Sequence, residues 1–337
     1  MFNNFFYNKF KIGKNIIGNK TFIIAEAGSN HNGDIKQALK LIDIAANSGA
    51  DAVKFQLFKA ENFIEKTSKN FKYLQKYEFQ DNWLKKLVKH CKKKNILFLA
   101  SPFNKNAVDT LVKAGVKAFK IASTETLNLN LVNYIAKKKL PLFVSTGICN
   151  YADVYECLDI IKKNKNKRVV LLQCSSVYPA KEFQVNLNVI DTYKGMFNFP
   201  IGFSDHSLGG TACIAAVSKG AKVIEKHFTS DRKMDGPDHS YAINPKDFKL
   251  MIKNIRSVEK MMGKKDKYPL AEELKWCRKK GIIAKQNIKK NTKLSLNQMM
   301  LVKPQHGIEA RYINLVDKLK IKKNKKKNEP IFWTDLE

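Results

Sequence analysis

The sequence predicts an α/β protein, a (β/α)8 TIM barrel followed by a small β-rich domain. Three observations predict it. Eight short apolar runs recur along the first three quarters of the chain, amphipathic stretches of helical period lie between them, and the texture changes after Gly263. Helices joined by short strands imply a parallel sheet, and eight such units imply closure into a barrel. An open doubly wound sheet is the alternative, but it usually has fewer strands.

In chain order the runs are Phe22–Ala25, Ala52–Phe55, Ile96–Ala100, Ala118–Ile121, Leu140–Val144, Val169–Leu172, Phe199–Phe203 and Lys222–Ile224. Helical patterns fill most of the gaps: Ile35–Ala46, Trp83–Cys91, Ala107–Ala114, Leu131–Lys137, Val154–Ile161, Gly210–Ser218 and Pro245–Met261. Their apolar residues fall at i, i+3, i+4 and i+7, which gathers them on one helix face. Ahead of the first run, Lys11–Lys20 reads as a small hairpin closing the barrel floor. The barrel domain therefore spans residues 1–263. Lys264–Glu273 opens a linker that runs to residue 278. Residues 279–337 read as a separate small domain, with β-like runs at Gly281–Ala284 and Met299–Val302 and little helical period.

Bulk composition agrees with this division. A barrel alone takes about 250 residues, so 337 residues suit one large domain and one small one. With 44% hydrophobic residues the chain can fill a core, which speaks against disorder. The net charge of +32, from 62 Lys+Arg against 30 Asp+Glu, raises nucleic-acid binding as a reading. The lysines, however, are spread along the whole chain among Asn and Ile rather than gathered in a patch or arm. That pattern fits AT-rich codon bias and solvated helix faces, so no nucleic-acid partner is expected. The excess still favours encounter with anionic small molecules. The densest run, Lys318–Lys327, reads as an exposed hairpin. Six cysteines (Cys91, Cys149, Cys157, Cys174, Cys213 and Cys277) form no CxxC pair and read as reduced thiols. The N-terminus lacks the apolar core of a signal peptide, and no run reaches the roughly 18 apolar residues of a membrane span. A cytoplasmic protein without a membrane partner is expected.

Barrel enzymes carry their chemistry at the carboxyl ends of the strands, and nearly every run here ends in reactive side chains. The first ends in Glu26 and Gly28-Ser29-Asn30-His31-Asn32-Gly33, and the second in Lys54 and Gln56. Ser101 follows the third; Lys120, Ser123 and Glu125 mark the fourth; Ser145-Thr146-Gly147 closes the fifth. Cys174-Ser175-Ser176 and Tyr178 follow the sixth. Ser204-Asp205-His206 ends the seventh, and Glu225-Lys226-His227-Phe228 the eighth, before Gly236-Pro237-Asp238-His239. A single polar residue here would be an ordinary solvated loop position; a whole ring of them is harder to dismiss. Lys54, Lys120, Ser101, Ser123, Ser145 and Ser204 suit a phosphate and a carboxylate, because lysine supplies point charge and hydroxyls supply donors. His206 and His227 lie on adjacent strands, where two imidazoles with open positions suit Mn, Fe, Co or Zn. Glu26, Glu125 and Asp238 are candidates for proton transfer and hydroxyl binding. His90, on a Lys-rich helix face, reads as surface.

These residues resemble the N-acetylneuraminate (sialic acid) synthase family. The resemblance rests on Ile23–Gly33, Lys54-Phe55-Gln56, Lys120–Glu125, Ser145-Thr146-Gly147, Ser204-Asp205-His206, Glu225–Phe228 and Gly236–His239, which run in order from about residue 10 to the C-terminus. It implies that residues 279–337 form an antifreeze-protein-like (SAF) domain, and that two chains pair as a homodimer with this domain over the partner's active site. The implied reaction joins phosphoenolpyruvate to N-acetylmannosamine with water, cleaving the C–O bond and giving N-acetylneuraminate and phosphate. Legionaminic or pseudaminic acid, from a 2,4-diacetamido-trideoxyhexose, is the alternative product. A divalent metal, Mn2+ or Mg2+, is implied on His206 and His227. Lys54, Lys120, Ser101, Ser123, Ser145 and Ser204 match phosphoenolpyruvate-binding positions. Glu26, Gln56, Tyr178 and Asp238 match sugar positions, and Glu125 a carboxylate near the reacting carbons. Three departures stand out. Lys303 occupies the place of an arginine that reaches the N-acyl group, with Arg311 as a substitute; Ser176 stands where Asn is usual beside phosphoenolpyruvate; Ser101 stands where Thr is common. Other readings are a related phosphoenolpyruvate synthase making a shorter keto acid, an anion-binding protein, and a structural barrel.

Overall fold

The computed structural model describes residue 2, residues 4–276 and residues 279–337. Cys277 therefore lies outside the described residues, and the other five cysteines are free. The chain forms two compact units, Met1–Gly263 and Lys264–Glu337.

The first unit opens with an antiparallel hairpin, β1 (Phe10–Ile12) and β2 (Asn15–Ile17). Eight parallel strands follow: β3 (Phe22–Gly28), β4 (Ala52–Leu57), β5 (Leu97–Pro102), β6 (Phe119–Ile121), β7 (Leu142–Ser145), β8 (Val169–Cys174), β9 (Ile201–Asp205) and β10 (Val223–His227). Each expected run holds a strand. After each strand comes one main helix, in order α1 (Ile35–Ser48), α2 (Leu84–Lys93), α3 (Lys105–Lys113), α4 (Leu129–Lys137), α5 (Tyr151–Lys163), α6 (Asn188–Met196), α7 (Thr211–Ser218) and α8 (Pro245–Met261). First and last strands pair, with Val223 opposite Phe22 and His227 opposite Glu26, so the sheet curls into a barrel. Among the described residues the ladder is interrupted only between β5 and β6, which still lie side by side. Helix α6 carries no expectation from sequence because only Ile190 and Tyr193 of it are buried, too few to set a period.

Strand alternation divides the barrel into two faces. Ile23, Ala25, Val53, Phe55, Phe98, Ala100, Leu171 and Phe203 point outward into the core shared with the helices. Phe22, Ile24, Ala52, Leu99, Ala118, Phe143, Val170, Leu172 and Val223 point inward, where Phe10, Ile12 and Ile17 of the hairpin join them. The hairpin thus seals the floor with aliphatic and aromatic side chains. Two residues further along, the inward positions turn polar: Glu26 above Ile24, Lys54 above Ala52, Ser101 above Leu99, Lys120 above Ala118, Ser145 above Phe143, and Glu225 above Val223. A dry lower layer therefore supports a charged upper one.

His90 is not simply a surface residue. Its Nε2 lies 2.8 Å from Asp43 Oδ1, and Lys94 Nζ reaches the same oxygen at 2.9 Å, so this ion-paired group ties α2 to α1.

The second unit is built on strands β11 (Gly281–Ala284) and β12 (Met299–Val302), paired antiparallel, and on isolated bridges and short 3-10 turns. Ile282, Ala284, Ile288, Leu294, Met299, Ile308, Val316, Ile321, Ile331 and Leu336 form its core. The stretch ahead of it, read as a linker, contains the short helix Ala271–Trp276. Lys318–Lys327 is not an exposed hairpin. Its backbone bridges to other segments, Lys320 to Lys293, Ile321 to Leu336 and Lys325 to Ile288. Ile321 is buried, and so is Lys325, whose ammonium lies 2.6 Å from Asp335 Oδ2 and 2.8 Å from Pro330 O. The buried Asp335 carboxylate takes two lysines of the run, Lys323 at 2.7 Å on Oδ1 and Lys325 on Oδ2, and of these Lys325 is turned inward.

Candidate active site

Four charged side chains meet in the upper barrel layer, all nearly fully buried. Lys54 Nζ lies 2.9 Å from Glu26 Oε1 and donates to Ser101 Oγ at 3.2 Å. Glu225 Oε1 accepts from Ser204 Oγ at 2.9 Å and sits 3.8 Å from both Lys54 Nζ and Lys120 Nζ. Gln56 donates to Glu26 at 2.9 Å. Environment separates the two carboxyls. Burial raises the pKa of Glu26 despite Lys54. Burial would do the same to Glu225, but Lys120 and Lys54 outweigh it and hold Glu225 below its ordinary value. Glu225 is the settled anion and Glu26 the weaker acid. Burial lowers the pKa of Lys120, whereas for Lys54 the neighbouring Glu225 and Glu26 overcome burial and raise it.

Several polar atoms here are buried without a protein partner: Glu26 Oε2, Glu225 Oε2, Ser145 Oγ, Ser176 Oγ and His227 Nδ1. Such atoms are destabilising unless a ligand meets them. Ser123 and Ser176 flank Gly147, whose N–H donates to Ser123 Oγ at 3.0 Å. A Cβ at Gly147 would fall 2.2 Å from Ser176 Oγ and 2.9 Å from Ser123 Oγ, so only glycine leaves this notch open. A cavity of about 650 Å³ adjoins it, lined by Thr146, Cys149, Cys174 and Ser176.

The imidazoles of His206 and His227 face each other with ring centroids 5.3 Å apart. His206 Nδ1 lies 2.6 Å from the Ser175 carbonyl oxygen and donates to it, so in the neutral ring the lone pair sits on Nε2; burial opposes charge on this ring, but Cys174 and the Ser175 carbonyl outweigh it and raise its pKa. His227 Nδ1 has no hydrogen-bond partner, the nearest carboxylate oxygen being Asp238 Oδ2 at 3.7 Å. Burial, reinforced by His206 and Lys54, holds His227 well below the ordinary imidazole pKa and therefore neutral. A neutral, buried, unpartnered nitrogen beside a second oriented imidazole suits a divalent metal. Among the described residues no three His, Cys, Asp or Glu side chains cluster as a metal set, so the protein would supply two ligands and leave the other positions open.

Beside the imidazoles a pocket of about 400 Å³ is lined by Gln56, Tyr178, His227, Asp238, Phe58 and Phe63, among others. The Tyr178 ring lies 4.1 Å from that of His206. Asp238 Oδ1 accepts from Tyr241 at 2.5 Å.

The barrel thus gathers Glu26, Lys54, Gln56, Ser101, Lys120, Ser123, Ser145, Ser176, Tyr178, Ser204, His206, His227 and Asp238 at one end. Glu125, two residues beyond Ser123, is half-buried and accepts from Asn128 at 3.0 Å. Lys303 belongs to the second unit, where it is exposed, and Arg311 there is committed to Glu309 at 2.6 Å. Glu225, at the centre of the charge cluster, is absent from the sequence-based site set. Strand parity could have found it, since it lies two residues before His227 and shares its face.

A barrel that collects paired carboxylates, lysines and imidazoles at the carboxyl ends of its strands has the build of an enzyme. The chain belongs to the NeuB family, which residues 41–267 match, and residues 279–337 match the SAF domain. It is 41% identical to N,N'-diacetyllegionaminic acid synthase of Campylobacter jejuni, over 93% of this chain and 99% of that one. Identity to human N-acetylneuraminate-9-phosphate synthase is 33%, over 82% of each. Among solved structures, the sialic acid synthetase of Leptospira borgpetersenii, crystallised with citrate, superposes with a TM-score of 0.76 at 36% identity, covering 79% of this chain and 94% of that one. The family is one of sugar-acid synthases, and this chain is a synthase-family enzyme.

Proposed function

We propose that the chain condenses phosphoenolpyruvate with an N-acylated amino-sugar aldehyde and water, giving a nine-carbon 2-keto sugar acid and phosphate. The observation that carries this reading is the buried cluster of Lys54, Lys120, Glu26 and Glu225 beside His206 and His227.

Lys54 and Lys120 supply fixed positive charge for the anionic enol ester. The unpartnered hydroxyls of Ser145 and Ser176 supply donors to its oxygens. In the reaction the C3 carbon of the enol attacks the aldehyde carbon. Water adds at C2, and the C–O bond to phosphate then breaks. Glu26, the weaker acid, is the group able to hand a proton to the nascent alkoxide, and Gln56 fixes its orientation. His206 and His227 would hold a divalent ion, Mn2+ or Mg2+. When bound, such an ion supplies Lewis-acid polarisation of a carbonyl oxygen. Gln56, Tyr178 and Asp238 line the pocket for the sugar. The motifs alone put N-acetylmannosamine first as substrate. The higher identity to a legionaminic than to an N-acetylneuraminate-9-phosphate synthase supports a 2,4-diacetamido-trideoxyhexose instead. A homodimer in the cytoplasm, with Lys303 of each chain at its partner's sugar site, completes the reading.

The test is phosphate release from phosphoenolpyruvate by purified protein with Mn2+. Release should require one of N-acetylmannosamine or its 2,4-diacetamido relatives, the latter turning over faster. Release with arabinose 5-phosphate and none of these would overturn the proposal.

A further inference from the structure

Behind the two imidazoles, on the outward face of the barrel, lies a second buried ion pair to which the reaction gives no part. Asp205 and Lys226 are directly paired across β9 and β10. Each is 1% exposed, and Lys226 Nζ lies 2.7 Å from Asp205 Oδ2. Lys226 Nζ also donates to the backbone oxygen of Ser207. Asp205 Oδ1 accepts from the Ser207 N–H at 2.9 Å, and Cys213 of α7 closes over Oδ2 at 3.3 Å. Lys226 therefore grips both residues that flank His206, while itself preceding His227.

We infer that Asp205 and Lys226 are positioning residues, a clamp that sets the spacing of His206 and His227 for their cation. The inference rests on the metal reading above. Stability alone does not call for this pair. Burying two charges carries a desolvation penalty that an apolar pair of similar volume avoids, often with no loss of stability. What an apolar pair cannot do is fix direction. Three hydrogen bonds join residues 205, 207 and 226, so neither histidine-bearing strand end can slide or twist without breaking one. Groups behind metal ligands typically change metal affinity by about 10- to 100-fold.

The experiment compares wild type with the Asp205→Asn/Lys226→Met double variant, which removes both charges at nearly constant volume. Mn2+ affinity is read from the free-ion electron paramagnetic resonance signal, and folding from the thermal midpoint. The expected result is a Mn2+ Kd raised roughly 10- to 100-fold with a nearly unchanged midpoint, and phosphate release that returns as Mn2+ is raised. An unchanged Kd would overturn the inference, whatever happens to the midpoint. If the double variant does not fold, Lys226→Arg carries the test, because it keeps the charge but not the point geometry; a wild-type Kd there is equally fatal. His206→Ala measured alongside separates the two readings. If it binds Mn2+ like wild type, the metal assignment itself has failed rather than the clamp.

Discussion

At the scale of single residues, the two carboxyls of the upper layer differ in acidity. Glu225 is pinned as an anion by two lysines, whereas Glu26 keeps its proton more readily. Glu26→Gln preserves shape and the contact with Lys54 but cannot transfer a proton. It should lower kcat for phosphate release by about a hundredfold or more, with an unchanged circular dichroism spectrum. Retained kcat would remove Glu26 from the proton path. His206→Ala and His227→Ala should each abolish both Mn2+ binding and turnover in an otherwise folded protein. Most of these residues were legible because each apolar run ends in a reactive group. Glu225 was named at its strand end but given no role, because reading a strand end as a cluster ignores which side chains share a face. The partnerships were not legible either. Lys54 meets Glu26 and Glu225 only through the sheet register, and the buried role of Lys325 depends on Asp335 elsewhere in the chain.

At the scale of elements, the eight strands and the hairpin could be read because each is a compact apolar run. Helix α6 was silent because its exposed face dominates its composition. Two glycines mark the contrast between packed strand and open helix. Gly202 in β9 faces inward, where a Cβ would fall 2.5 Å from Leu172 Cδ2 and 2.6 Å from Val223 O. Gly195 in α6 has nothing within 4 Å of that position. Gly202→Ala should therefore destabilise the barrel by about 1–3 kcal/mol. Gly195→Ala should stabilise it by about 0.5–1 kcal/mol through reduced backbone entropy of the unfolded chain. Chemical denaturation of the two variants checks the opposite signs; equal signs would contradict the inward placement of Gly202.

At the scale of the whole molecule, the second unit has its own acid sensitivity. Burial alone would raise the pKa of Asp335, but Lys323, Lys325 and the Phe332 N–H outweigh it and hold it below its ordinary value. A carboxyl that is a stronger acid when folded contributes stability fully present above its unfolded pKa, about 4, and lost as pH falls through the folded value. Asp335→Asn leaves Lys325 buried without its counter-charge, and should destabilise this unit by about 3 kcal/mol near neutral pH. Thermal unfolding followed as a function of pH should show the wild-type and variant curves converging in acid. Parallel curves would remove Asp335 as the source. The proposed homodimer makes a separate prediction, that sedimentation equilibrium yields twice the chain mass at micromolar concentration.

The hairpin plug under the barrel has a consequence for traffic. With Phe10, Ile12 and Ile17 packed against the lowest inward side chains, the described residues close the vessel at its floor. Lys54 sits one inward step deeper than Gln56 on the same strand, so whatever binds the lysines lies beneath whatever fills the pocket beside Tyr178. On the proposed reading the deep guest is phosphoenolpyruvate, so it should bind before the sugar, and initial-rate measurements should show ordered kinetics with inorganic phosphate competing against it.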